Sequence, residues 1–181
     1  MPIYTKKGDR GETGLPGKRK RLKSDILFDF LGTLDQTSAT IGLALATKDI
    51  EKDIAKELES VQSELLSIGA CIASEKPDKN PFLKILLKRV STYEKLIDKW
   101  EEEMGSLTNF ILVGGSKPGA TLHLSRTIAR QAERLFHKIK EDKPGEIAVY
   151  LNRLSDFLFQ VARYINYKLN SIEKNWINPQ K

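Results

Sequence analysis

One cysteine, Cys71, stands in 181 residues. A lone thiol makes no intrachain disulfide and builds no cysteine-based metal site, and it fits a reducing compartment. There are two histidines, and His123 and His137 are too far apart along one helical pattern to form an i, i+4 metal pair. No stretch of about 18 apolar residues occurs, so no membrane-spanning helix is expected. The start of the sequence carries charge and glycine where a secretory leader would carry an apolar run. No GxxxxGK[ST] loop and no GxGxxG fingerprint occurs, which sets aside the two common phosphate cradles built on a strand and a helix. No internal repeat or low-complexity tract is present. A soluble, cytoplasmic protein is the expectation.

What is present is ordinary in bulk. Hydrophobic residues make up 40% and charged residues 30%, enough to close one core. Thirty Lys and Arg against 24 Asp and Glu give a net charge of +6. That excess suits nucleic acid, an acidic surface or a phosphorylated small molecule, and does not choose among them.

Five helical patterns follow an aperiodic segment of residues 1–24. Their apolar stripes are Leu27, Leu31, Leu34, Ser38, Ile41 and Leu45; Ile54, Leu58, Val61, Leu65, Ile68 and Ile72; Leu86, Val90, Tyr93, Ile97, Trp100 and Met104; Ile128, Ala132, Leu135 and Ile139; and Ile147, Leu151, Leu154, Leu158, Val161 and Ile165. The spacing near 3.5 residues is that of helices packed at shallow angles. It predicts an all-α, five-helix up-and-down bundle, a four-helix core plus one. Ser24 or Asp25 is the expected first N-cap and Gly105 the stop of the third helix. The fourth helix is expected over about 120–141. The run Phe110-Ile111-Leu112-Val113 has strand character but ends at once in Gly114-Gly115. The expected divisions are a loop segment at 1–24, a helical domain at 25–172 and a tail at 173–181.

Three places carry candidate chemistry. In the N-terminal run, Gly8, Gly11 and Gly14 permit a turn-rich backbone whose amides can cradle an anion, with Thr5, Thr13, Lys6 and Lys7 as added donors. On residues alone the same run is equally a solvated basic arm, continued by Lys18 to Arg21. In the fourth helix, His123, Arg126, Arg130, Glu133 and His137 share one face, expected to be distinct from the apolar stripe. Two arginines a turn apart can hold phosphate oxygens, and Glu133 can orient one or reach a ribose hydroxyl. The competing reading is a surface face laced with weak ion pairs. In the first helix, Gly32, Asp35, Ala39 and Gly42 form a small-residue face with one carboxylate, which if buried needs a cation such as Arg126 or Arg130. Asn152, Asp156 and Arg163 are expected on the polar face of the fifth helix, and Phe110 to Gly115 is an apolar loop able to wall a flat ligand.

Taken in order, these segments resemble the PduO-type ATP:cob(I)alamin adenosyltransferases over about residues 3–167. Tyr4 to Gly11 is similar to that family's opening ATP loop, and Lys23-Ser24-Asp25 to the element after it. Gly32 to Gly42 resembles its first-helix signature, Phe110 to Gly115 its glycine-ended loop, Leu122 to Arg134 its arginine helix, and Tyr150 to Asn166 its last helix. Departures include Lys7, Gln36, Thr37, Val113, Ser125 and Gln131. The resemblance implies transfer of the 5′-deoxyadenosyl group of ATP to the cobalt of cob(I)alamin, with Mg²⁺ bridging the phosphates. It implies a homotrimer with each site between two subunits. One chain supplies Thr5, Lys6, Lys7, Gly8, Thr13, Gly14 and Lys23. The other supplies Arg126, Arg130, Glu133, Arg134 and Asn152. Asp35 would pair with Arg126, and Phe110 would sit against the corrin. A reductase and an adenosylcobalamin-dependent acceptor enzyme are the implied partners, with neither nucleic acid nor membrane. The alternatives are a non-catalytic basic helical protein that binds nucleic acid, and one that senses ATP.

Overall fold

A computed structural model describes residues 4, 6, 8–15, 20–140 and 143–177. Thr5, Lys7, Lys18 and Arg19 therefore lie outside the described residues. The elements run β1 (Glu12–Thr13), β2 (Arg21–Leu22), α1 (Ile26–Leu45), α2 (Lys52–Ala73), α3 (Phe82–Met104), β3 (Ile111–Leu112), α4 (Lys117–Lys138), α5 (Gly145–Lys168) and β4 (Lys174–Asn175), with a short 3₁₀ turn at Pro77–Lys79 before α3. The architecture is the five-helix bundle expected. Helix α1 packs on α2 and α4, α4 on α5, and α5 on α3. Two antiparallel two-residue ladders, β1 with β2 and β3 with β4, pin the N-terminal loop and the C-terminal segment.

Local chemistry sets the helix ends. Asp25 caps α1, its carboxylate accepting from the Leu27 amide at 2.9 Å. That bond holds the Asp25 carboxyl below the usual carboxylate range, and the Arg21 ion pair at 3.0 Å acts in the same direction. Ser116 caps α4, accepting from the Gly119 amide at 3.2 Å, with Pro118 in the first turn. Gly105 ends α3 with φ +83°.

The stripes of α2 and α5 are buried at every expected position, and that of α3 at Leu86, Val90, Tyr93 and Trp100, with Ile97 and Met104 packed at its margin. Helices α1 and α4 differ from expectation. In α1 the buried face is Leu27, Phe30, Thr33, Leu34, Thr37, Ile41 and Ala44, while Leu31 and Leu45 sit at the margin. Thr33 and Thr37 enter the core because each hydroxyl donates back to a carbonyl one turn earlier, at 2.7 and 2.8 Å. In α4 the buried face is Leu122, Ser125, Ala129, Ala132 and Phe136, followed by Ile139; Ile128 is only half-buried. Small residues there let α4 lie close to its neighbours. His123 is not on the exposed polar face with the arginines. It is 2% exposed, its ring 5.7 Å from that of Phe159. Arg163 likewise leaves the polar face of α5: it is buried and pairs with Glu173 at 3.0 Å.

One polar cluster lies inside the core. Glu64 of α2 accepts from the hydroxyls of Tyr93 on α3 and Tyr150 on α5, and from Nε of Arg89, which also binds Glu57. Burial first, and then the Glu64 charge, push the Tyr93 hydroxyl up; burial leads for Tyr150 as well, so both remain donors. The cluster ties α2 to α3, two helices that otherwise touch little.

Two outcomes follow for stability. Glu64→Ala removes the shared acceptor of the two hydroxyls and of the Arg89 Nε. Arg89 keeps Glu57 and the hydroxyls can still bond each other at 3.1 Å, so the expected cost is about 3 kcal/mol. Tyr150→Phe costs about 1 kcal/mol because Glu64 keeps its other donors. Urea titration followed by circular dichroism reads both; equal losses would contradict the shared-acceptor account. For His123, burial first and then the Arg126 charge lower the imidazole from 6.5 to about 4. The unfolded chain therefore takes up a proton below 6.5 that the folded chain refuses. The stability present at neutral pH is lost as pH falls from 6.5 toward 4. Between pH 7.5 and 5 the loss from this group is about 2 kcal/mol, and His123→Leu should remove that part of the acid sensitivity. Parallel acid curves for the two proteins would refute it.

Candidate functional site

The arginine face of α4, the loop before it and one face of α5 meet around a cavity of about 480 Å³. Its walls include Phe110, Ile111 and Val113 from the loop, Arg126 and Arg130 from α4, and Phe159 from α5. Apolar surface dominates, so charge inside it is poorly hydrated. Arg126 is half-buried, with its guanidinium 5.8 Å from the centre of the Phe159 ring. Its buried Nε has no hydrogen-bond partner among the described residues. Burial, and then the neighbouring Arg130 charge, push its pKa down. No carboxylate within the chain pairs with either arginine among the described residues. Asp156 also lines the cavity but is paired with Arg153 at 2.8 Å, so Arg126 and Arg130 leave the site cationic and partly desolvated, which suits a polyanion.

Next to the arginines, Asn152 donates its side-chain amide to Glu133 at 3.0 Å. This bridge joins α4 to α5 and leaves the Asn152 carbonyl oxygen as an unused acceptor. Arg134 is exposed on the same helix. Phe110 is 78% exposed and also borders a second, open cavity of about 680 Å³ with Trp176 and Ile177. The rings of Phe110 and Trp176 meet edge to face, centroids 6.3 Å apart.

The N-terminal residues form a separate unit. Lys23 donates its backbone amide to the Gly11 carbonyl at 2.8 Å and lays its side chain over Gly8. A Cβ on Gly8 would come within 3.1 Å of the Lys23 ammonium nitrogen, the flexible end of that side chain, so the two residues lie in contact. Thr13 pairs with Arg21 across the small ladder; Gly14 is exposed. Lys6 has φ +58° and lies over the Tyr4 ring. Among the described residues no hydrogen bond or ion pair joins this unit to the arginine face of α4. Within one chain the structure thus brings together Phe110, Arg126 and Arg130, with Glu133 and Asn152 adjoining. It holds Gly8, Thr13 and Lys23 together elsewhere.

Asp35 is exposed on α1 and has no ion-pair partner among the described residues, so the pairing with Arg126 or Arg130 does not occur inside the chain. It borders an apolar groove of about 360 Å³ between α1 and α2, lined by Leu31, Leu65, Leu66 and Gly69. Sequence reasoning did not single out Phe159 or Trp176, and it read Asn166 only as the end of the last-helix motif. For Phe159 the signal is an aromatic three residues after Asp156, on a face otherwise polar. For Trp176 it is the cluster of apolar residues at 172–177, within the segment expected to be only a tail.

The chain is similar throughout to proteins of one kind. The model of the cobalamin adenosyltransferase family matches residues 3–165. The corrinoid adenosyltransferase of Bacillus subtilis is 40% identical over 173 residues, covering 92% of this chain and 87% of that protein. The human corrinoid adenosyltransferase is 34% identical over 179 residues, covering 95% of this chain and 72% of that one. A variant PduO-type ATP:corrinoid adenosyltransferase from Lactobacillus reuteri, solved with cobalamin and ATP, superposes with a TM-score of 0.89 at 29% identity. That superposition covers 98% of this chain and 97% of that chain. A match of this extent in sequence, fold and element order makes the chain a member of the cobalamin adenosyltransferase family.

Proposed function

We propose that the cavity of Phe110, Arg126 and Arg130 is where this chain performs its family's reaction, and that the N-terminal loop of a neighbouring copy completes it. The reaction is transfer of the 5′-deoxyadenosyl group of ATP to the cobalt of cob(I)alamin, giving adenosylcobalamin and triphosphate. Membership in the family displaces the readings as a nucleic-acid-binding or ATP-sensing helical protein. The observation that carries the site assignment is the unneutralised, half-buried Arg126 facing an apolar cavity.

The electron pair on cobalt forms the bond to C5′ while the C5′–O bond breaks, and that bond's electrons leave on the triphosphate. The nucleophile is the substrate's own metal, so no serine, cysteine or histidine is required of the protein. What remains for the chain is orientation and charge. Arg126 and Arg130 neutralise the triphosphate as its charge grows, and the desolvated setting strengthens that attraction. Asn152, held by Glu133, offers its carbonyl oxygen to the adenosyl portion, while Arg134 extends the cationic face. Phe110 sits against the corrin, helps to displace its lower axial base and keeps water out.

Thr5, Lys6, Lys7, Gly8, Thr13, Gly14 and Lys23 are assigned to ATP from the adjacent chain. The absence of any hydrogen bond or ion pair between this unit and the arginine face among the described residues supports that division, as does Asp35, exposed beside an apolar groove suited to a second copy and without an ion-pair partner among the described residues. The homotrimer that the family resemblance implies accommodates this reading, with residues 1–24 as ATP loop, 25–172 as bundle and 173–181 as tail. Among the described residues no group of three or more metal-ligating side chains gathers to cage Mg²⁺. Mg²⁺ would arrive on the ATP phosphates, held by them and by water. No described helix is long and apolar enough to cross a membrane. A reducing cytoplasm suits the single cysteine, and a reductase supplying cob(I)alamin and an enzyme receiving the product are the partners this chemistry requires.

The test is the visible spectrum of protein mixed with ATP, Mg²⁺ and chemically reduced cob(I)alamin. Wild type is expected to form the cobalt–carbon product. Arg126→Ala is expected to lose at least about 10²-fold in kcat/KM, the scale of a lost charge-stabilising group. Phe110→Ala should lose corrinoid turnover while ATP still binds, with Tm moved by only about 1–2 °C because the ring is exposed. Turnover that survives Arg126→Ala would refute the site.

A further inference from the structure

We infer that Asn166 is a positioning residue for adenosyl transfer: it clamps both ends of the loop that presents Phe110. The inference rests on Phe110 facing the corrinoid, as proposed above.

Asn166 stands near the end of α5, fully buried, and its amide uses all four of its bonding positions. Oδ1 accepts from the backbone amide of Ser116 at 2.9 Å and from its hydroxyl at 2.7 Å. Nδ2 donates to the Gly114 carbonyl at 3.0 Å and to Glu173 at 3.4 Å. Its own backbone carbonyl accepts from Ser171 at 2.8 Å. The amide orientation is unambiguous, since each atom has partners of the opposite kind.

The space around it is built for this side chain. A Cβ on Gly115 would lie 2.4 Å from Nδ2, and one on Gly119 2.1 Å from Oδ1. Gly115 also has φ +94°. Any side chain at either glycine would expel the amide. The Gly114–Gly115 turn and the first turn of α4 therefore close around Asn166 like two jaws.

The consequence reaches Phe110 by two routes. Through Gly114 and Ser116, Asn166 fixes the end of the 110–115 loop where it enters α4. Through Glu173 and Ser171 it fixes the C-terminal segment, which Glu173 also ties to Arg163 at 3.0 Å. That segment pairs with the start of the loop: Ile111 opposes Asn175, Leu112 opposes Lys174, and the Trp176 amide donates to the Phe110 carbonyl at 2.7 Å. Phe110, exposed and without a packed pocket of its own, keeps its place over the cavity only while both routes hold. Asn166 is common to both.

The near-isosteric Asn166→Asp tests this. An aspartate still accepts from Ser116 but presents oxygen to Gly114 and Glu173, releasing the loop and the C-terminal segment together. Below the variant's Tm, kcat/KM for cob(I)alamin is expected to fall at least tenfold with KM for ATP within about twofold. Acrylamide quenching should rise, because Trp100 is 4% exposed and Trp176 45%, so the quenchable emission is that of Trp176. Adding Glu173→Gln supplies a donor to the introduced carboxylate and should recover several-fold of the lost activity. If Asn166→Asp does not fold, Glu173→Ala frees the same segment and is expected to show the same split. Unchanged kinetics with only a lower Tm, or equal losses for both substrates, would overturn the inference. Failure of the wild type to form product would instead overturn the reaction assignment, and the quenching result would still decide whether the clamp exists.

Discussion

A guanidinium set among apolar walls, with no carboxylate among the described residues of its own chain to neutralise it, is the constraint on which the site depends. Arg126 lies against Phe159, beside a second cation, with a buried Nε that binds nothing among the described residues. Placing a charge there opposes folding, because water that would solvate it is partly excluded. The same exclusion makes the charge effective toward a polyphosphate, since attraction strengthens as the effective dielectric falls. His123 is part of this arrangement. One turn before Arg126 and buried against the same Phe159 ring, it stays neutral and adds no third cation.

The bundle tolerates that burden because its cohesion lies elsewhere. The α2, α3 and α5 helices are joined by apolar stripes and by Glu64, whose carboxylate collects two tyrosine hydroxyls and an arginine from three directions. Helix α4 is held by close packing of Ala129, Ala132 and Phe136, leaving its opposite side to carry charge. Stability and chemistry are thus separated onto different faces of the same helices. The connection before α4 and the C-terminal segment, which no helix covers, supply the apolar lip through Phe110 and Trp176.

Much of this is legible in the sequence. Where a stripe consists of long aliphatic or aromatic side chains, as in α2 and α5, period alone identifies the core. In α1 and α4 it misleads, because Thr33, Thr37 and Ser125 satisfy their hydroxyls on their own helix and so behave as core residues. His123 reads as polar by type but lies among aromatics. The separate members of the site, Phe110, Arg126, Arg130 and Lys23, stand out by composition and by family resemblance. Their mutual placement does not. The clamp at Asn166 links residues 50 positions apart through single hydrogen bonds, and no local pattern announces it. Glu173 similarly pairs with Arg163 only because the chain reverses after α5.

The central claim is that the arginine face of one chain works with the N-terminal loop of another. Mixing two inactive variants, Lys23→Ala and Arg126→Ala, under conditions that exchange subunits tests it most directly. A site shared between copies in a cyclic assembly predicts that roughly a quarter of wild-type turnover returns, since random pairing restores both parts at about that share of interfaces. If exchange is complete and no activity returns, each site is built within a single chain and the account fails.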